Sequence, residues 1–205
     1  MKKIYLIATA AFTIAAMISC GNAEVQETEE TVVEETVTES KTMDANLAES
    51  AVMWKGSIIG GYSHEGTLEI TSGSVEMTGN DITGGEFTVN MKTITPTDSN
   101  YSEENTADML VGHLSTGDFF LVDSFPTANF VIKSSDMSAK TITGDLTVKG
   151  VTKSETIENV MVNTESGEAT GTLTFDRQDY GVNYESTMKD MVLSDDIELD
   201  IKLKM

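Results

Sequence analysis

From about Leu47 to the C-terminus, apolar and polar residues alternate, and a period of two predicts strands with one buried and one wet face. The alternation is most regular in residues 141–153. Ile142, Leu146 and Val148 share one parity, while Thr143, Asp145, Thr147 and Lys149 share the other. Gly150 interrupts the run and Val151 starts another, which predicts a β-hairpin. The parity places Asp145 and Lys149 outside, so Lys149→Gln is expected to be nearly silent.

Further runs repeat the pattern. Val52 and Trp54 share a face, as do His64, Gly66, Leu68 and Ile70. Phe87, Val89 and Met91 form the next set, then Phe130 and Ile132 after Pro126, then Leu173, Phe175 and Arg177. Ile197, Leu199, Ile201 and Leu203 alternate with Glu198, Asp200, Lys202 and Lys204. With the run at residues 151–162 this makes about eight strands, a number suited to a closed barrel holding side chains and one small ligand. Two stretches break the rhythm. Residues 105–114 carry Met109, Leu110, Val111 and Leu114 near helical spacing, and residues 178–193 carry Tyr180, Tyr184, Met188 and Met191. They predict one or two short helices over an end of the barrel.

The first 46 residues follow other rules. Lys2 and Lys3 precede an uncharged apolar run over residues 4–18, too short to span a bilayer comfortably. Residues 1–19 therefore read as a secretory signal. Ile18-Ser19-Cys20-Gly21 resembles a bacterial lipobox, in which Cys20 becomes the lipidated first residue; the plainer alternative is an ordinary cleavage site beside an incidental cysteine. Cys20 is the one cysteine in the chain, so no internal disulfide can form. Residues 20–46 are expected to be a tether behind that cysteine, disordered to about Met43. Seven glutamates between Glu24 and Glu39 oppose a single Lys41, and no aromatic residue is present to offset the cost of ordering. An acidic surface-export signal after Cys20 is the sharper alternative for the same stretch. Residues 47–205 are left as one barrel domain.

Charge narrows the partners. The formal net charge of −21 repels nucleic acid and anionic headgroups, so membrane attachment is assigned to the acyl anchor. Catalysis is not expected: the chain has two histidines, no P-loop, no Gly-x-Ser-x-Gly and no dinucleotide fingerprint. No cofactor is expected. His64, His113 and Asp118 can be drawn together as metal ligands on paper, but nothing in their spacing requires it, and no metal is assigned.

Polar residues on apolar parities are more informative. His64 shares the face of Leu68 and Ile70, and Arg177 continues that of Leu173 and Phe175. One reading has them orient a polar ligand head. The other leaves Arg177 at a strand end, reaching solvent or paired with a loop carboxylate. Trp54, Phe87, Phe119, Phe120, Phe125, Phe130 and Phe175 fill a barrel or line what remains of it. Met53, Met91, Met109 and Met161 suggest either ordinary core or an adaptable lining.

Taken in order, certain phrases are similar to those of the YceI-like family of bacterial polyisoprenoid-binding proteins. They are Trp54-Lys55-Gly56, Ser63-His64-Glu65-Gly66, Gly85-Glu86-Phe87-Thr88-Val89-Asn90-Met91, His113-Leu114 before Asp118-Phe119-Phe120, Phe125-Pro126-Thr127-Ala128, residues 142–153, and Arg177 with Tyr180-Gly181-Val182. Asn90 stands where relatives often have aspartate. The resemblance implies an all-β, eight-stranded antiparallel lipocalin-like barrel with a long apolar cavity, binding isoprenoid-quinone-like or fatty-amide amphiphiles without catalysis.

The sequence-based expectation is thus an envelope lipoprotein of the outer membrane, facing the periplasm or the cell surface, that binds, carries or stores a long apolar lipid. From parity and position the ligand-binding residues are Trp54, His64, Leu68, Phe87, Met91, Phe119, Phe120, Phe130, Ile142, Leu146, Phe175 and Arg177. Self-association into a homodimer is left open. The competing reading is a filled barrel serving as a surface interaction scaffold through loops at 97–104 and 179–196.

Overall fold

The structure is a computed structural model and describes residues 39–79, 81–186 and 192–205. The signal, Cys20 and the tether up to residue 38 lie outside the described residues. Among those described, nine strands follow in order: β1 (Ser40–Asp44), β2 (Ala51–Ile58), β3 (Ser63–Thr78), β4 (Asp81–Pro96), β5 (Thr127–Asp136), β6 (Thr141–Val148), β7 (Val151–Asn163), β8 (Glu168–Asp176) and β9 (Leu193–Lys204). One helix, α1 (Ala107–Leu114), separates β4 from β5, and a single 3-10 turn, Arg177–Tyr180, follows β8.

All pairings are antiparallel. The order β3-β2-β9-β8-β7-β6-β5-β4 is closed by β4 against β3, giving the expected eight-stranded barrel. Closure leaves no open edge among these eight along their paired lengths. The hairpin at residues 141–153 is present as β6 and β7, with Val148 opposite Val151. Lys149 and Gly150 connect them at φ 50° and 77°, the left-handed pair a two-residue hairpin turn needs. Ile142, Gly144, Leu146 and Val148 are buried, while the intervening residues are half-exposed.

β1 departs from expectation, because its residues were assigned to the disordered tether. It lies antiparallel along β3, Ser40 opposite Thr78 and Asp44 opposite Ser74. On that side of β3, β2 covers only Ser63 to Leu68, so the remaining backbone groups of β3 need another partner. Ala45 extends the pairing by donating its N–H to the Gly73 carbonyl at 2.9 Å. Four of the five β1 residues are exposed, so backbone pairing rather than side-chain burial orders this segment.

Bulges make the second departure. β3, β4 and β7 are too long to keep one parity, and each shifts register against a neighbour. Along β3 the buried positions move from Leu68 and Ile70 to Val75. Along β4 they run Ile82, Met91, Ile94, again with a change of parity. In β7 the shift lies between Glu158 and Met161, where Asn159 takes φ 54°, and Val160 follows Ile157 inward. The methionines are a further correction: Met53 sits on the outer parity of β2, Met109 on the outer side of α1, and Met161 just past the β7 shift. Met53, Met109 and Met161 are 43%, 58% and 62% exposed, and only Met91 of the expected four is buried.

Residues 97–126, 149–150 and 177–192 connect strands at one end of the barrel, called the helix end below. Thr106 caps α1 by accepting from the Met109 N–H. Among the described residues of the second expected helix, the helical part is the 3-10 turn, capped by Asp176 and ended by Gly181 at φ 70°. Residues 187–191, including Met188 and Met191, lie outside the described residues.

Candidate ligand cavity

The inward residues do not fill the barrel. They leave a cavity of about 230 Å³ with an almost wholly apolar wall. Its lining runs from Trp54, His64, Leu114 and Val182 at the helix end to Val75, Ile82, Val162 and Met205 at the other. At about 3.3 Å per residue and a tilt near 40°, the stretch of β3 from His64 to Met77 spans roughly 30 Å of axis. The cavity so lined runs along the barrel axis and is called the slot below.

All twelve residues expected from parity border the slot: Trp54, His64, Leu68, Phe87, Met91, Phe119, Phe120, Phe130, Ile142, Leu146, Phe175 and Arg177. Val75, Met77, Ile82, Ile94, Val160 and Val162 border it too. They were missed because each is separated by a register shift from the residues whose parity was read; the Gly84-Gly85 pair and Asn159 are sequence signals at two of the shifts.

His64 is held from outside the barrel. Its Nδ1 lies 3.2 Å from Asp98 Oδ1, its ring stacks on Tyr101 at 5.0 Å, and Tyr62 meets it edge-on at 5.2 Å. Asp98 also accepts from the Glu65 N–H at 3.0 Å, the Asn100 N–H at 2.8 Å and the Tyr101 hydroxyl at 2.7 Å. Its side chain is 8% exposed. Burial by itself pushes a carboxyl up, but these donors outweigh it and hold Asp98 down to about 2. Burial and the adjacent carboxylate push the Tyr101 hydroxyl above its ordinary range. An ionised Asp98 accepts, so Nδ1 of His64 carries the proton and Nε2 is the ring nitrogen left for another partner. Asp98 carried no sequence signal, being one acid among many in a loop.

Arg177 is committed elsewhere. Nε donates to the Ser194 carbonyl at 3.0 Å, Nη1 to the Val182 carbonyl, and Nη2 to Asp195 at 2.8 Å. Its side chain is 3% exposed. Of the two readings, pairing with a carboxylate matches the geometry, but the acid, Asp195, lies on β9 and not in a loop: the guanidinium clasps the segment after β8 onto the start of β9. Tyr180, fully buried, donates to Glu155 at 2.8 Å, and burial together with that carboxylate pushes its hydroxyl above the ordinary range.

The helix end is roofed. Leu110 and Leu114 of α1 reach the slot, as do Phe119 and Phe120. His113 packs edge-on to Phe119 at 4.9 Å and to Tyr184 at 4.7 Å, and its Nε2 lies 3.6 Å from Asp118. His113 and Asp118 are therefore neighbours, but His64 is paired with Asp98 instead. Among the described residues no group of three or more His, Cys, Asp or Glu could hold a metal. Lys149 Nζ donates to the carbonyls of Gly117 at 3.1 Å and Gly181 at 2.9 Å, tying the two roof segments together.

A closed antiparallel barrel around an apolar slot is a lipocalin-like architecture. Residues 42–205 match the family described as the YceI-like domain, and the chain belongs to that family. A UPF0312 protein of Staphylococcus aureus strain MSSA476 is 38% identical over 85 residues, which cover 38% of this chain and 48% of that protein. The chain thus spans about half the length of the curated relatives it matches. Among solved structures, Burkholderia cenocepacia BcnA superposes with a TM-score of 0.64 at 20% identity, covering 78% of this chain and 98% of BcnA. A polyisoprenoid binding domain from Saccharophagus degradans gives a TM-score of 0.47 at 9% identity, over 78% of this chain and 95% of that domain.

Proposed function

We propose that the barrel binds a single long apolar chain, of isoprenoid or related lipid type, and carries or stores it in the cell envelope. One observation carries this reading: the slot persists along the barrel with an apolar wall, instead of being closed by the side chains that line it. Empty apolar volume is costly, because its lining forfeits contact on one side. A bound hydrocarbon chain removes that cost and gains roughly 25 cal/mol per Å² of its own buried surface. Leu68, Phe87, Met91, Phe130, Ile142, Leu146 and Phe175 would contact the chain along the slot, with Trp54, His64, Phe119 and Phe120 at the helix end. Family membership supports the reading, since the resemblance implies polyisoprenoid-type ligands.

The location belongs to the same proposal. Acylation at Cys20 would hold the protein at a membrane while its acidic surface keeps the barrel off anionic headgroups. Native mass spectrometry of the gently purified acylated protein tests both parts. The expected spectrum shows the diacyl or triacyl mass increment on the processed chain and a dissociable lipid at one per barrel. A protein that is acylated but empty, and that takes up no isoprenoid on incubation, would favour the scaffold reading.

A further inference from the structure

Trp54 is the one residue of the slot with an unmet demand. Among the described residues, its Nε1 is the one buried side-chain nitrogen or oxygen without a hydrogen-bond partner. It is also the single tryptophan in the chain. Trp54 pairs with Gly66 across β2 and β3, and Gly56 pairs with His64. Trp54 thus stands one inward-facing layer, about 7 Å, deeper than His64. Glycine at 66 is required for this placement: a Cβ there would collide with the indole and with the Thr95 carbonyl. The ring is therefore laid against the β3 backbone by a position built to receive it.

Leaving a donor buried without an acceptor costs about 1–3 kcal/mol, and phenylalanine or leucine would line an apolar wall without that penalty. A slot whose wall is almost wholly apolar holds water poorly, since a buried water needs two or more polar partners. Among the described residues no protein group accepts from Nε1, His64 standing a layer nearer the mouth, so the acceptor is assigned to the molecule in the slot. We infer that Trp54 is a specificity-determining donor: its indole N–H hydrogen-bonds an oxygen on the bound lipid, one layer inside His64. Among the amphiphiles the resemblance implies, the ligand is then one whose carbonyl- or ether-type oxygen reaches the depth of Trp54 near the helix end. This rests on the apolar-carrier reading and narrows it.

A matched pair of probes separates the two. The acyclic isoprenoid ketone farnesylacetone and the hydrocarbon of the same skeleton without its oxygen are titrated into delipidated, ¹⁵N-labelled full-length protein. With one tryptophan, the spectrum holds one indole N–H signal. That signal should move downfield with the ketone and stay near its free position with the hydrocarbon. The ketone should bind roughly five- to tenfold more tightly, the worth of one hydrogen bond. Trp54→Phe should bring the ketone-to-hydrocarbon ratio to about one, while any loss of contact area from the smaller ring lowers the affinity of both probes alike. Equal binding of both probes by the wild-type protein, or a preference that survives Trp54→Phe, overturns the donor role and leaves the carrier reading standing. If neither probe binds the wild-type protein, the carrier reading falls and the donor role with it. Should Trp54→Phe fail to fold, the wild-type indole signal decides.

Discussion

Asp98 shows how much one side chain can organise. It joins the loop after β4 to the start of β3 and fixes His64 against the barrel wall. Its carboxyl sits near 2 in the folded protein against an ordinary 3.8. A depressed carboxyl stabilises the fold above its unfolded value, and that contribution is lost as pH falls from about 4 towards 2. The shift corresponds to about 2 kcal/mol. Urea melts from pH 7 to 2.5 should show the wild-type protein losing stability in this window. Asp98→Asn should be less stable at pH 7 and show a shallower acid slope. An unchanged slope in the variant would remove Asp98 as its source.

At the scale of elements, the β6–β7 turn has two roles. Its left-handed Lys149-Gly150 pair sets the hairpin, and the Lys149 side chain then straps the roof segments at Gly117 and Gly181. The expectation that Lys149→Gln is nearly silent therefore does not follow from the fold. Parity placed the residue outside correctly but said nothing of the loops that fold back over it. Lys149→Gln should cost about 1 kcal/mol, or roughly 2–4 °C in Tm for a chain of this size. Amide exchange in residues 115–122 and 177–186 should quicken. Melting and exchange identical to the wild-type protein would show that the strap carries no weight.

For the whole molecule, closure and bulging together decide which residues see the slot. Leu146 and Met161 make a test, since both are apolar residues on central strands of one hairpin. Leu146 is 5% exposed and borders the slot, whereas Met161 faces solvent. Leu146→Asp places an unpaired carboxylate in an apolar wall and should cost at least about 3 kcal/mol and abolish lipid uptake. Met161→Gln should stay within about 0.5 kcal/mol and bind normally. Equal effects of the two in denaturant melts would overturn the facing of β7.

Much of this architecture was legible in the chain. Alternation in residues 141–148, 173–175 and 197–203 identified strands and their inner faces, because a half-buried strand needs period two. Family phrases such as Trp54-Lys55-Gly56 and residues 142–153 carried the fold class. Other features were set by distant partners. The order of β1 comes from the uncovered edge of β3, not from its own side chains. The inward turn of Val75, Ile82 and Val160 comes from bulges that absorb the mismatch between long strands and a closed circumference. The pairing of His64 with Asp98 comes from the loop after β4 returning across the helix end, and that of Arg177 with Asp195 from the pairing of the end of β8 with the start of β9. Local periodicity is a property of neighbouring residues, so the sequence by itself determined strands, faces and the apolar character of the interior. Hydrogen bonding across the barrel and the volume left after packing depend on residues far apart along the chain. Only the tertiary structure could decide that a slot remains, and that Trp54 stands in its wall with a donor unmet.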